Sequence, residues 1–448
     1  AAVKTITGYR SGSIWYDATG AVVSDPKVIA TESGGQALPW LKNPTDRTAY
    51  SNTAFTAYKP QINVMPRVAF SFPISDAANF FAHYDILTQR PPSASSDGAN
   101  GSPYTSYNRT NPQDYYFLSS NQGAVVGNGN LKPERTVDYE LGFSQTLNEQ
   151  KSSALKISAF YREMRNQVQI TRVNQAYPIS YITYGNIDFG TVKGFSAEFN
   201  MRRTGGFSLS ANYTLQFAEG SGSNANGGYS LVNSSQPNLR VILPLDFDQR
   251  HTFTANLDYR FGSGSDYRGP QSNFKKSEGK EQNVQWLKNF GINIVGRLGS
   301  GLPYSQKTPA VADAEVGNQQ TQYLNGSLNG ARLPWQFRAD MRIDRNFSNI
   351  WLNSKDKGDK RRAGNLNIYL QVLNLFNTKN ITQVHYFTGS PKDDGYLSSS
   401  FGVSELTAKY AQGAAYGQGF QTLYNAKLND GRYYTAPRMI RIGVQFDF

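Results

Sequence analysis

The sequence has no cysteine and only three histidines among its 448 residues. The lack of cysteine excludes disulfide scaffolds, thiol enzymes and cysteine-based zinc sites. No run of about 18 apolar residues occurs, so we expect no transmembrane helix. Hydrophobic residues make up only 38% of the chain. Two classes stay open: a soluble all-β protein, or an outer-membrane β-barrel, whose strands need apolar residues only at alternate positions.

Aromatic residues, by contrast, are abundant at 13%, with 28 tyrosines and 26 phenylalanines. Disordered chains are poor in aromatics, so we expect a folded protein. The 45 lysines and arginines exceed the 33 aspartates and glutamates, which gives a net charge of +12. These cations are spread along the chain rather than gathered in one patch, so we expect no nucleic-acid partner.

Several long segments alternate strictly between apolar and polar residues. In 207–217 every odd-numbered residue is apolar and every even-numbered residue is polar, and 250–261, 335–347 and 438–448 follow similar patterns. A period of two over ten residues predicts a strand with one apolar and one polar face. With a rise of roughly 3.3 Å per residue and a tilt near 45°, ten residues span about 23 Å, close to the apolar band of about 25 Å in outer-membrane barrels.

The predicted connections also alternate in length. We expect about twelve strands, near residues 3–16, 64–73, 79–90, 134–147, 153–172, 189–203, 206–218, 249–262, 286–304, 333–347, 364–377 and 437–448. Short or moderate links follow 73, 147, 203 and 347, whereas long links rich in glycine, serine, asparagine and tyrosine follow 16, 90, 172, 218, 304 and 377. Residues 263–285 break this pattern as an enlarged turn. Short periplasmic turns and long extracellular loops are typical of an antiparallel transmembrane β-barrel, which is the fold class that we predict.

Four segments resemble the barrel of TonB-dependent outer-membrane receptors. They are NLKPERTVDYELGF (130–143), LKISAFYREMRNQV (155–168), GTVKGFSAEFN (190–200) and YLQVLNLFNTKN (369–380), and the terminal Phe448 matches the family's C-terminal aromatic residue. Segments 66–73, 248–262 and 296–305 resemble the Oar-like receptors of Bacteroidetes. The resemblance implies that residues 1–448 are the C-terminal portion of a 22-stranded barrel, and that the family's N-terminal plug domain and TonB box are not in this chain.

The resemblance further implies a protein of the bacterial outer membrane that takes up a bulky nutrient, energised by the TonB complex through the missing plug. Outer-membrane lipid and lipopolysaccharide are expected partners, and a surface lipoprotein is an open one. Two alternatives remain: a non-transporting outer-membrane barrel that acts as an adhesin or scaffold in a larger membrane complex, and a soluble all-β carbohydrate-binding protein. No signal peptide opens the sequence, which begins AAVKTITGYR.

Charged residues on the polar faces of the strands need water or a partner, so we expect them to line a wet interior. The candidates for lining this lumen are Glu140, Glu198, Asp258, Arg260, Arg297, Arg338, Asp340 and Arg342. A tyrosine-rich loop supplies candidates for ligand contact outside the cell, which are Tyr104, Tyr107, Tyr115 and Tyr116. Tyrosines can equally form the aromatic belt at the membrane surface, and the sequence does not decide between the two roles for this loop.

Catalysis is not expected, because the three histidines fall on separate segments. A catalytic triad needs a histidine within hydrogen-bond reach of a nucleophile and a carboxylate, and no local metal motif such as H-E-x-x-H occurs. We therefore predict a protein that is not an enzyme and that has no cofactor and no metal site.

Overall fold

The computed structural model describes residues 8–11, 14–17, 21–24, 60–91, 125–173, 181–234, 236–238, 240–275, 281–315, 321–351 and 363–447. One antiparallel sheet dominates, and along it each long strand is paired with the next one in the chain. Its eleven long strands are β1 (Arg67–Ser75), β2 (Ala78–Gln89), β3 (Glu134–Thr146), β4 (Ser153–Val173), β5 (Tyr181–Thr204), β6 (Phe207–Gly220), β7 (His251–Arg260), β8 (Phe290–Gly299), β9 (Gln336–Trp351), β10 (Ala363–Leu373) and β11 (Met439–Asp447).

Eleven of the predicted long strands are confirmed, and the prediction of a single strand over 3–16 is wrong. There the short strands Gly8–Ser11 and Ile14–Asp17 pair as a hairpin, and Val22–Val23 completes a separate three-stranded sheet. A Gly-Ser pair separates the two hairpin strands, and such residues favour a turn over a continuous strand. Within the described residues the large sheet is open, since β1 and β11 each have one partner strand.

The register sorts side chains onto two faces as the alternation predicts. Directly opposed residues of an antiparallel pair lie on the same face. One continuous row across nine strands is apolar or aromatic throughout: Phe72, Phe80, Phe143, Ile157, Ala197, Tyr213, Phe253, Leu298 and Phe337. Side chains of this apolar face are exposed, 56% in the case of Phe72 and 78% in the case of Ile442. So large an exposed apolar surface is typical of contact with lipid.

Charged residues on the apolar face of the described strands lie outside a central band of the sheet. On one side of this band Lys193 and Glu219 form an ion pair of 3.6 Å, and Glu163 pairs with Arg165 on β4. Arg345 lies on the other side. On β6, the row next to Arg345 contains Phe207 and the row of Lys193 contains Phe217, so the two rows are ten residue steps apart. With a rise of roughly 3.3 Å per residue and a tilt near 45°, these steps span about 23 Å, which matches the hydrocarbon band of an outer-membrane barrel.

The two ends of the sheet differ in their connections. One end, which we name the turn end, carries the tight turns at 76–77 and 205–206 and the link 147–152. The enlarged turn predicted at 263–285 lies there too, and it contains a short hairpin of Gln271–Lys275 and Glu281–Gln285. The opposite end, which we name the loop end, carries the long connections 221–250, 300–335 and 374–438.

The connections at the loop end have structure of their own. Helix α1 (Tyr229–Asn233) follows β6, and helices α2 (Ser400–Ala411) and α3 (Ala414–Leu428) lie between β10 and β11. Residues 167–173 of β4 and 181–188 of β5 extend beyond the neighbouring long strands and pair with each other. Val232 of α1 packs with Val168 and Ile170 in a small core on this extension. Ala312, Tyr396, Tyr424 and Leu428 form a second core, which joins the connection 300–335 to the helices. The sequence reasoning described 378–436 as a loop and did not identify these helices. None of the described helices has the length and hydropathy needed to cross a membrane.

Candidate functional site

The register brings the eight predicted lumen residues onto the polar face of the sheet. One row runs Lys156, Glu198, Asn212, Thr254, Arg297 and Arg338. A second row runs Asp258, Asn293, Arg342, Gln371 and Arg441. Arg260, Glu140 and Asp340 share the same parity on their strands and complete the set. Whether this face borders a water-filled interior stays a prediction.

Most charges on the polar face are paired with a neighbour of opposite sign. Arg260 makes two parallel hydrogen bonds to Asp344, Nη1 to Oδ2 at 3.1 Å and Nη2 to Oδ1 at 2.9 Å. Arg338 Nε donates to Asp340 Oδ1 at 2.8 Å. The two parallel bonds fix the Arg260 guanidinium in one orientation, which a single contact does not do.

Two further contacts extend this network. The Lys156 ammonium lies 3.7 Å from the Glu140 carboxylate, and Asp258 pairs with Arg203. Arg297 makes no ion pair with another described residue, and it stands directly opposite Arg338. Like charges on directly opposed strands repel each other, so this part of the face is locally positive.

A cavity of about 250 Å³ opens on the polar face around Glu140 and Glu198. Its wall combines carboxylates, cations and hydroxyls, and the residues that line it are Glu140, Lys156, Ser158, Phe160, Arg162, Ser196, Glu198, Thr214 and Gln216. The mixture of donors, acceptors and both charges suits polar surfaces in contact with water or with another polar protein surface.

Three aromatic side chains on this face lie over glycines of the neighbouring strand. Phe81 covers Gly142, Phe160 covers Gly194 and Tyr369 covers Gly443. A Cβ built on Gly194 would lie 2.5 Å from Phe160 Cζ and would overlap the Leu215 carbonyl. Glycine at this position is therefore needed for the close approach of ring and strand, an arrangement that also fixes register in designed sheets.

Cations complete these stacks. Lys156 Nζ lies 4.5 Å above the Phe81 ring, and the Arg342 guanidinium lies 4.1 Å above Tyr369. Such cation–π contacts hold long side chains against the wall instead of letting them extend away from it.

The predicted loop tyrosines Tyr104, Tyr107, Tyr115 and Tyr116 lie outside the described residues. A different row of tyrosines is visible on the apolar face near the loop end. The rings of Tyr84 and Tyr139 are 5.2 Å apart, and those of Tyr139 and Tyr161 are 6.3 Å apart. Tyrosines at this level are typical of the aromatic belt at a membrane surface.

Sequence reasoning missed the buried polar groups at the loop end. Asp248 is 1% exposed, pairs with Arg332 and accepts a hydrogen bond from the Ala218 amide at 2.8 Å. His385 Nδ1 lies 2.6 Å from Asp313 Oδ2. Each pair joins different connections, and Arg332 is 84 residues from Asp248. No local motif in the sequence marks such a contact.

The core beside helices α2 and α3 raises the pKa of two tyrosines. Burial, followed by a hydrogen bond from its hydroxyl to Glu405 at 2.9 Å, raises the pKa of Tyr396 to about 12. Burial and a hydrogen bond to the carboxylate of Asp394 raise the pKa of Tyr424 still further above its ordinary value. Both hydroxyls are neutral donors at physiological pH. Tyr424 joins helix α3 to the buried carboxylate of Asp394, and Tyr396, which precedes α2, bonds to the half-buried Glu405 on that helix.

The family described as "TonB dependent receptor-like, beta-barrel" matches residues 42–375, well over half of the chain. The chain belongs to the TonB-dependent receptor-like β-barrel family. It is therefore a protein of the outer membrane, and its sheet belongs to the wall of an antiparallel transmembrane β-barrel. A search of curated proteins finds no significant match.

Solved outer-membrane receptors are similar to this chain at low sequence identity. FpvA of Pseudomonas aeruginosa, in a complex with a heterologous pyoverdine and iron, is 11% identical with a TM-score of 0.43, and the match covers 86% of this chain and 33% of that one. The ferric-catecholate import receptor Fiu of Escherichia coli is 15% identical with a TM-score of 0.37, over 71% and 31% of the two chains. The FrpB iron transporter of Neisseria meningitidis is 15% identical with a TM-score of 0.38, over 71% and 35%. This TonB-dependent receptor chain thus spans about a third of the length of these structures.

Proposed function

We propose that this chain is the C-terminal barrel portion of an Oar-like outer-membrane receptor that takes up a bulky nutrient with energy from TonB. Family membership supports the proposal, and the observation that carries it is the charged polar face opposite the lipid face. A wall of paired ions and hydroxyls suits a polar plug domain and the passage of hydrophilic solutes, whereas a filled, dry core would be apolar.

The proposal assigns a direction and partners to the sheet. Short turns of outer-membrane barrels lie in the periplasm and long loops lie outside the cell, so the loop end is extracellular. The plug that contacts TonB would come from sequence outside this chain. Lipid and lipopolysaccharide would cover the apolar face, and a surface lipoprotein would have the loop end available. We propose no catalytic role, cofactor or metal for this chain.

Transport is tested by solute depletion from the medium of growing cells. Wild-type cells, cells lacking the full-length receptor and cells lacking TonB are compared by mass spectrometry of a mixed pool of large solutes. We expect one class of solute to be depleted only when both proteins are present. Depletion that is the same in all three strains would contradict transport and favour an adhesin or scaffold.

A further inference from the structure

A separate cavity of about 230 Å³ lies at the loop end. It is open to solvent, and it is lined by the connection after β6, the connection after β8 and Gln169 of β4. Its polar lining is formed by serines, asparagines, one glutamine and one aspartate, and its apolar lining by leucines and a proline. No lysine, arginine or aromatic residue is among the described residues that line it.

The frame of this cavity is held in place by contacts between the connections. Asn329 Nδ2 donates to Asp246 Oδ1 at 2.7 Å and to the Pro244 carbonyl at 2.8 Å. Arg332 donates to the Asp248 carbonyl at 2.6 Å, and so ties the same two connections a second time. A site held in this way loses little entropy when a ligand binds.

The floor of the cavity needs a glycine. Gln169 Nε2 donates to Asp188 Oδ2 at 2.9 Å, and the backbone of Gly222 passes directly over this pair. A Cβ on Gly222 would lie 2.7 Å from Gln169 Nε2 and would overlap the Asp188 carboxylate. Because of this close approach, the Gln169 amide and the Asp188 carboxylate form a polar floor beneath the cavity.

Four polar groups of the lining have a donor or an acceptor that no other described residue satisfies; the Ser223 oxygen accepts from the Asp246 amide at 2.9 Å, and its own O–H is the open donor. Two are donors, the Ser223 hydroxyl and Asn224 Nδ2, and two are acceptors, Asn238 Oδ1 and Asp246 Oδ2. Hydroxyl groups both donate and accept, so a ligand that carries several of them matches such a mixed set. An anionic ligand would meet the Asp246 carboxylate with no cation in the lining to balance it.

We propose that this loop-end cavity binds one unit of a neutral carbohydrate, whose hydroxyls pair with Ser223, Asn224, Asn238 and Asp246. The leucines of the lining offer a surface for the C–H face of the ring. The inference deepens the proposed function, and it rests on that function only in taking the loop end as the side that meets solutes.

The experiment measures direct binding to the full-length receptor, purified in a detergent without a sugar headgroup. Methyl glycosides of glucose, galactose, mannose and N-acetylglucosamine are the probes, and saturation-transfer NMR with competition reports binding. We expect saturable binding of at least one glycoside. Asp246→Ala should weaken it at least tenfold, which corresponds to about 1.4 kcal/mol. Asp266→Ala, a matched change on the turn end, should leave it unchanged.

A second variant covers the case in which Asp246→Ala disturbs the loop. A Cβ on Gly228 would lie 3.6 Å from its nearest neighbour, so Gly228→Leu introduces a side chain at the cavity wall without a clash at the backbone. This variant should also abolish binding while it keeps every polar group.

Three results would overturn the proposal: no glycoside binds, both variants bind as the wild type does, or a neutral tripeptide competes better than any glycoside. Binding to the purified receptor does not require energy from TonB, so the carbohydrate site and the transport function can fail separately. Intact TonB-dependent uptake with no glycoside binding overturns only the carbohydrate site. Glycoside binding together with uptake that does not depend on TonB overturns only the transport proposal.

Discussion

An arginine placed in the middle of the apolar face tests the face assignment on which transport depends. Ala255 is the fifth of the ten residues of β7, and it stands opposite Ala211 and Gly296 on the apolar face. Since alanine is small, Ala255→Arg adds a charge without removing a large packed side chain. A cation at the midplane of a barrel costs about 2–4 kcal/mol. At about 1.36 kcal/mol per factor of ten, the folding equilibrium should shift by a factor of roughly 30 to 900.

The matched control is the next residue along the chain. Asn256 lies on the polar face opposite Ser210 and Val295, so Asn256→Arg places the same side chain in the predicted wet interior. We expect this change to cost no more than about 0.5 kcal/mol. The assay is denaturant unfolding of the full-length receptor in phospholipid vesicles, where the midpoint and slope give the free energy of unfolding. Equal costs for the two variants, or a larger cost for Asn256→Arg, would refute the assignment of lipid and water to the two faces.

Three further predictions follow from single contacts. Asp344→Asn should lower the free energy of unfolding by about 1.5–3 kcal/mol, because Arg260 loses its charged partner, and a double-mutant cycle measures the coupling between them. Gly194→Ala should lower the free energy of unfolding by about 1–3 kcal/mol, because the new Cβ overlaps its neighbours. Gly296→Ala is the control: no atom lies within 4 Å of the new Cβ, so its free energy of unfolding should stay within about 0.5 kcal/mol of the wild type. The folded-state pKa of Tyr396 is raised, so its contribution to stability is complete below pH 10 and is lost as pH rises from 10 to about 12. In a titration followed by absorbance near 295 nm, the wild type should show a phenol that ionises late, and the Tyr396→Phe variant should lack it.

Alternation alone predicted much of the sheet. Residues 207–217 and 250–261 form two-faced strands as predicted, because a period of two places alternate side chains on opposite faces whatever the partner strand is. The same pattern placed Glu198, Arg297 and Arg338 on the polar face, and the structure puts them in one row. The failure at 3–16 has a local cause in the sequence, since a Gly-Ser pair, which favours a turn, interrupts a segment that otherwise resembles a strand.

What the sequence by itself determined is therefore the two-faced sheet and the membrane that its long strands can cross, because these follow from periodicity along one strand. Only the tertiary structure decided which charges meet and which connections enclose a cavity. Asp248 and Arg332 are 84 residues apart in the sequence, and Asp246 and Asn329 are 83 apart. Their contacts depend on the register between β6, β7, β8 and β9. Register between distant strands is a property of the assembled sheet, and no single segment carries it.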